Sequence, residues 1–142
     1  SPFPPDSPAA VSEFFRRGLN DLDYAVGAIK DRYQRPRPFL RDVGLTPCIN
    51  MIGGYSYLRG HAVNARVFAP ILADQAPGRR EEFLARADRA ALNRVISGVH
   101  YPSDIAAGKM VGEVLYQEFS KSNAFRSDLD SLRKYLRPAD GP

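Results

Sequence analysis

The 142-residue chain has one cysteine and only two histidines. The lone Cys48 excludes an intramolecular disulfide and a cysteine-based zinc site, and it leaves the redox compartment open. No apolar run approaches the ~18–20 residues that a membrane-spanning helix needs, so no transmembrane segment is expected. No stretch alternates apolar and polar residues over a useful length, and no internal repeat is visible, so a sheet architecture has no support. A long basic block is also missing. The net charge of +4 comes from lysines and arginines spread along the chain, which suits an anionic partner without separating phosphate esters, nucleic acid and an anionic membrane surface. No nucleic-acid-binding motif or aromatic platform is present to favour the second of these.

What is present is helical periodicity. With 44% hydrophobic and 25% charged residues, the chain fits one domain with a single core. Residues 1–10, SPFPPDSPAA, lack the charged and apolar regions of a signal peptide and are expected to be a disordered, Pro-rich lead. Val11, Phe14, Phe15, Leu22, Ala25, Val26, Ile29 and Tyr33 recur at three- and four-residue spacings, which predicts a long first helix. Pro36 and Pro38 end it near Gln34. From there to Gly60 the glycines and prolines predict a long loop, a length uncommon unless functional. A second helix is expected from about Gly60 to Ala73, with Asp74 to Gly78 as connector. A third follows from about Arg80 to Ser97, striped by Leu84, Ala87, Ala91, Leu92, Val95 and Ile96 and ended by Gly98. Pro102 opens a fourth, to about Phe119; Phe125, Leu129, Leu132 and Leu136 stripe a fifth. The expected fold is an all-α bundle of about five helices over residues 11–137.

Three clusters carry chemistry. In KDRYQRPRP, Lys30 lies in the last turns of the first helix and Arg37 just past the break, where the change of direction can bring both cations to one point. Taken alone, the pair reads first as a solvated basic helix end, since helix C-termini favour cations. Gly60-His61 stands at an expected helix start, where unpaired backbone N–H groups form an anion site and a histidine can protonate a leaving group. Taken alone, His61 is also read as a capping or half-buried histidine. In NRVISGVHYPSD, a carboxylate at Asp104 can accept from one nitrogen of His100 and leave the other as a nucleophile, with Arg94 to hold phosphate. A metal set of His61, His100 and Asp104 is opposed by the cations Lys30, Arg37, Arg59 and Arg94, which disfavour a divalent ion and favour a phosphate.

Lys-x6-Arg-Pro, Gly-His and Arg-x5-His-x3-Asp in this order resemble the three-part signature of the type-2 phosphatidic-acid-phosphatase superfamily, which includes the vanadium haloperoxidases. The resemblance runs from about Leu22 to Leu136. The surrounding sequence, RVISGVHYPSDIAAGKMVG above all, is most similar to the bacterial class A non-specific acid phosphatases. The resemblance implies an all-α fold and hydrolysis of soluble phosphomonoesters through a phosphohistidine, with no metal or other cofactor. It also implies His100 as nucleophile, Asp104 as its orienter, His61 as acid, and Lys30, Arg37, Arg94 and the Gly60 N–H on the phosphoryl oxygens. Phosphate esters or inorganic phosphate as ligands, vanadate as an inhibitor and a periplasmic or secreted location follow in the same way. A phosphate- or nucleotide-binding pseudoenzyme is the alternative. The chain reads Leu58-Arg59-Gly60-His61 where the family has Pro-Ser-Gly-His, and Asn93-Arg94 where it has Ser-Arg. Arg59 therefore either points outward or enters the pocket as a further phosphate ligand. Family chains carry more helices before the first motif, and a homo-oligomer is one way to cover the surface those helices bury.

Overall fold

The Pro8 carbonyl accepts the Val11 amide at 2.9 Å and so starts helix α1 (Ala9–Tyr33) two residues before its first buried side chain. The computed structural model describes residues 8–136; the first seven residues of the expected lead, and residue 137 at the far limit of the expected domain, lie outside them. Along α1 the buried positions are Val11, Phe14, Phe15, Leu22 and Val26. Tyr33, expected on that face, is 58% exposed. The last turn of α1 runs past the core, and Tyr33 leans on the Tyr57 ring instead, with centroids 4.9 Å apart.

After Gln34, a left-handed cap with φ 47°, the chain extends through Arg35 to Arg37. The expected loop contains one helical turn, α2 (Pro38–Arg41), begun by Pro38 at its first position, where a missing N–H costs nothing. The segment is fastened at several points. Ser56 is fully buried and donates its amide to Arg35 O at 2.9 Å.

Helix α3 (Gly60–Gln75) occupies the centre and packs against α1, α4 (Arg80–Ile96) and α5 (Pro102–Lys121). It runs to Gln75, and a 3-10 turn spans Pro77–Arg79, so of the expected connector only Ala76 lies outside a helical turn. Two glycines one turn apart set the distance between α3 and α5. A Cβ on Gly108 would lie 2.7 Å from Arg59 O, and one on Gly112 would lie 2.7 Å from Val63 O. Without side chains there, the two backbones approach closely. Asp104, one turn before Gly108, is thereby laid against Arg59, whose amide donates to Asp104 O at 3.1 Å.

Helix α4 meets α3 along its small residues, Ala87 and Ala91, which are buried. Leu92 and Ile96, expected on the buried stripe, are 55% and 70% exposed, because that contact is narrower than the apolar stripe. Helix α6 (Asn123–Leu136) closes the bundle with Phe125, Leu129 and Leu132 on the core formed by Phe14, Phe15, Leu22, Val63, Val67 and Ile71; the Leu136 side chain lies outside the described residues. Among the described residues there is no strand, and the all-α expectation holds.

Candidate active site

The clusters read from the sequence converge at one end of the bundle, where α1 and α4 finish and α3 and α5 begin. His100 is delivered by a reversal after α4. Gly98 takes φ +75°, a conformation that suits glycine, and the Val99 amide returns to Arg94 O at 3.3 Å. His100 and Asp104 are both buried, and His100 Nδ1 lies 3.2 Å from Asp104 Oδ2. The Tyr101 amide donates to the same oxygen at 2.9 Å, so Asp104 also caps the start of α5.

Two guanidinium groups face the other imidazole nitrogen. Arg37 Nη1 is 3.2 Å and Arg59 Nη1 is 3.3 Å from His100 Nε2. These neighbours fix the tautomer. A carboxylate only accepts, so the proton sits on Nδ1; a guanidinium only donates, so Nε2 carries the lone pair. Burial lowers the proton affinity of His100, and Arg59 and Arg37 lower it further, against the opposing pull of Asp104. The result is a neutral imidazole with its lone pair toward the cations.

Arg37 is not a solvated helix end. It is 5% exposed, and it donates to Gly53 O at 2.9 Å, Gly54 O at 3.1 Å and Val99 O at 3.1 Å. Prolines on both sides hold it extended at φ −70° and ψ 156°. Arg59, too, is turned inward. It is 6% exposed, its Nε is buried without a partner, and burial followed by Arg94 and Arg37 pushes its pKa down to about 10. Its neighbour Leu58 is 1% exposed in the core, which leaves Arg59 little freedom to turn away.

Lys30 donates to Tyr55 O at 2.6 Å, and burial together with Arg37 and Arg59 lowers its pKa. Arg94 acts electrostatically on Arg37, Arg59 and His61, and its Nε is buried with no partner. At the start of α3 the Ala62 and Val63 amides both reach Arg59 O, at 3.0 and 3.2 Å, which leaves the Gly60 and His61 amides without helical partners. The His61 side chain is exposed. Crowding on its covered side, then Arg59 and Arg94, lower its proton affinity, while Asp23 raises it. Among the described residues no three His, Cys, Asp or Glu side chains are grouped so as to hold a metal ion, and His100 Nε2, the nitrogen such a set would need, faces two cations.

One member escaped the sequence reading. Arg35 Nη1 donates to Asp104 Oδ1 at 2.9 Å and to Ser103 Oγ at 2.7 Å, and its guanidinium carbon lies 3.9 Å from the centroid of the Tyr101 ring. The available signal was the alternation Arg-Pro-Arg-Pro: on an extended strand of chain, residues two apart project to the same side, and here one arginine meets Asp104 and the other His100.

A family model described as the PAP2 superfamily matches residues 18–126. The chain is 30% identical over 118 residues to a non-specific acid phosphatase of Salmonella typhimurium strain LT2, covering 80% of this chain and 47% of that protein. It is 27% identical over 134 residues to an acid phosphatase of Zymomonas mobilis, covering 91% of this chain and 50% of the relative. The chain thus spans about half the length of the curated relatives it matches. Among solved structures, a transmembrane PAP2-type phosphatidylglycerolphosphate phosphatase from Bacillus subtilis matches with a TM-score of 0.58 and 20% identity, over 75% of this chain and 57% of that one. That likeness concerns the fold. Among the described residues no helix is long and apolar enough to cross a membrane.

Proposed function

Because the chain belongs to the PAP2 superfamily, we propose that it is an acid phosphatase that hydrolyses soluble phosphomonoesters through a phosphohistidine, without a metal ion. The observation that carries this reading is the placement of the His100 ring, with Nδ1 against Asp104 and Nε2 against Arg37 and Arg59, which forces Nδ1–H and leaves the lone pair on Nε2. A phosphoryl group drawn to those guanidinium groups arrives in front of the lone pair. Phosphoryl transfer asks mainly for positioning and for positive charge around the equatorial oxygens. Lys30, Arg37, Arg59, Arg94 and the Gly60 amide supply both, and the buried, unpartnered Nε atoms of Arg59 and Arg94 call for acceptors.

In the first step His100 Nε2 attacks phosphorus, the P–N bond forms, and the bond to the ester oxygen breaks. Protonated His61 gives its proton to the leaving alkoxide. In the second step neutral His61 takes a proton from water, the resulting hydroxide attacks phosphorus, the P–N bond breaks, and His100 is restored with release of phosphate. Both histidines have lowered proton affinity. The acid limb, set by His100 losing its proton, and the basic limb, set by His61 losing its own, are therefore both displaced toward acid. The periplasmic or secreted location implied by the family resemblance belongs to the same proposal.

A second reading rests on the Arg59 contact with Nε2: a site that grips phosphate hard and turns over slowly or not at all. Hydrolysis of p-nitrophenyl phosphate between pH 4 and 8 in excess EDTA separates the two. Metal-independent turnover inhibited by vanadate is the expected result. Phosphate binding by calorimetry with no turnover at any pH refutes the enzyme and leaves the binding protein.

A further inference from the structure

Asp104 is saturated. One oxygen takes the His100 ring and the Tyr101 amide, and the other takes Arg35. The carboxylate is fully buried, so three donors share a charge that water does not screen. Several cations face the His100–Asp104 pair: Arg35, Arg37 and Lys30 from the end of α1 and the segment after it, and Arg59 at the head of α3; Arg94 from α4 acts on Arg37 and Arg59 behind them. His61 lies beside Arg59 and Arg94. Among these groups Arg35 is the one that touches the carboxylate, while Arg37 and Arg59 address the Nε2 side of the ring.

We propose that Arg35 is a positioning residue that orients Asp104 toward His100 and withholds part of the carboxylate's charge from the imidazole, so that the nucleophile stays unprotonated in acid. This rests on the reading of His100 as the nucleophile. The guanidinium is held for the purpose on two sides, by the face of Tyr101 and by Ser103 Oγ. The backbone at Arg35 does not depend on it, because the Ser56 amide and hydroxyl already secure Arg35 O and Pro36 O.

The direction of the effect follows from charge. Burial pushes the Asp104 carboxyl up, but the bonds from His100 and Tyr101 and the charge of Arg35 prevail and hold it below the usual range. If Arg35 is removed, the full negative charge falls on the imidazole, which then keeps its proton to higher pH. The nucleophile is lost in acid, and the acid limb of the rate profile moves upward.

The chain has two histidines, so ring nitrogen titrations by NMR are assigned with a single His61→Gln variant. In Arg35→Met the His100 inflection moves up by about one pH unit, the acid limb of kcat/KM, which reports the free enzyme, moves with it, and helix content by circular dichroism is unchanged. Arg35→Lys, which restores the charge without the planar fork, recovers most of the shift. Should Arg35→Met fail to fold, Arg35→Gln gives the same comparison. An unmoved His100 titration in a folded variant overturns the proposal, even where kcat falls. A wild-type protein without phosphomonoesterase activity refutes the proposed function, and the NMR titration still decides the role of Arg35.

Discussion

Replacing Arg59 by serine restores the neutral hydroxyl that the family resemblance places at this position, and the structure sets the size of the consequence. The guanidinium is buried, stands 3.3 Å from His100 Nε2, and leaves its Nε without an acceptor. Its pKa, pushed down to about 10, corresponds to roughly 3 kcal/mol of cost in holding the charge in the phosphate-free site. For a base with a depressed pKa this cost is present in full below pH 10 and fades only as pH rises from about 10 toward the ordinary arginine value. A phosphate dianion relieves it, and a charge-assisted contact is about twice as strong as a neutral one. The difference of about 1.4 kcal/mol corresponds to a tenfold weaker inhibition constant for inorganic phosphate in Arg59→Ser. If Arg59 holds substrate, product and transition state alike, its loss raises kcat as well as KM, since product leaves sooner. The basic limb of the pH profile moves upward, because Arg59 is a cation that lowers His61 proton affinity. The assay is steady-state hydrolysis with phosphate as competitive inhibitor across pH, paired with the phosphate-induced rise in Tm, which shrinks in the variant. Leu58 is left unchanged because it is core. An unaltered inhibition constant together with an unaltered phosphate-induced Tm refutes the assignment of Arg59 to the anion.

His100→Ala abolishes turnover and keeps phosphate affinity within about threefold, since the surrounding cations remain; acid-labile phosphate trapped on the wild-type chain and mapped to any other residue contradicts the nucleophile. Gly108→Ala drives a methyl to 2.7 Å from Arg59 O and 2.9 Å from Ala62 Cβ, so it lowers stability by about 1–3 kcal/mol and reduces kcat by moving the start of α5, and with it Asp104, off the head of α3. Gly27→Ala, whose Cβ meets nothing within 4 Å, is the control, and its Tm is unchanged or slightly raised. Equal Tm changes in the two glycine variants mean that close approach of α3 and α5 is not what Gly108 provides.

The helices and the contact between His100 and Asp104 were legible because both are written in short-range spacing. An apolar residue every three or four positions buries one face wherever the helix sits, and His100 and Asp104, one turn apart around the start of α5, meet through local geometry. Prolines and glycines marked the breaks for equally local reasons: Pro36 and Pro38 end α1, and Gly98 permits the reversal before His100. The outward placement of Leu92 and Ile96 was not legible, since it depends on how narrow the contact with α3 turns out to be. Arg35 and Arg59 belong to the same class. Their partners lie 69 and 41 positions away; the Arg-Pro-Arg-Pro alternation says that Arg35 and Arg37 project to one side, but no local pattern says which distant group either Arg35 or Arg59 will meet. What decided both was the approach of α3 to α5 across Gly108 and Gly112, together with the extended segment fixed by Ser56, which bring distant cations to the two sides of one buried imidazole–carboxylate pair.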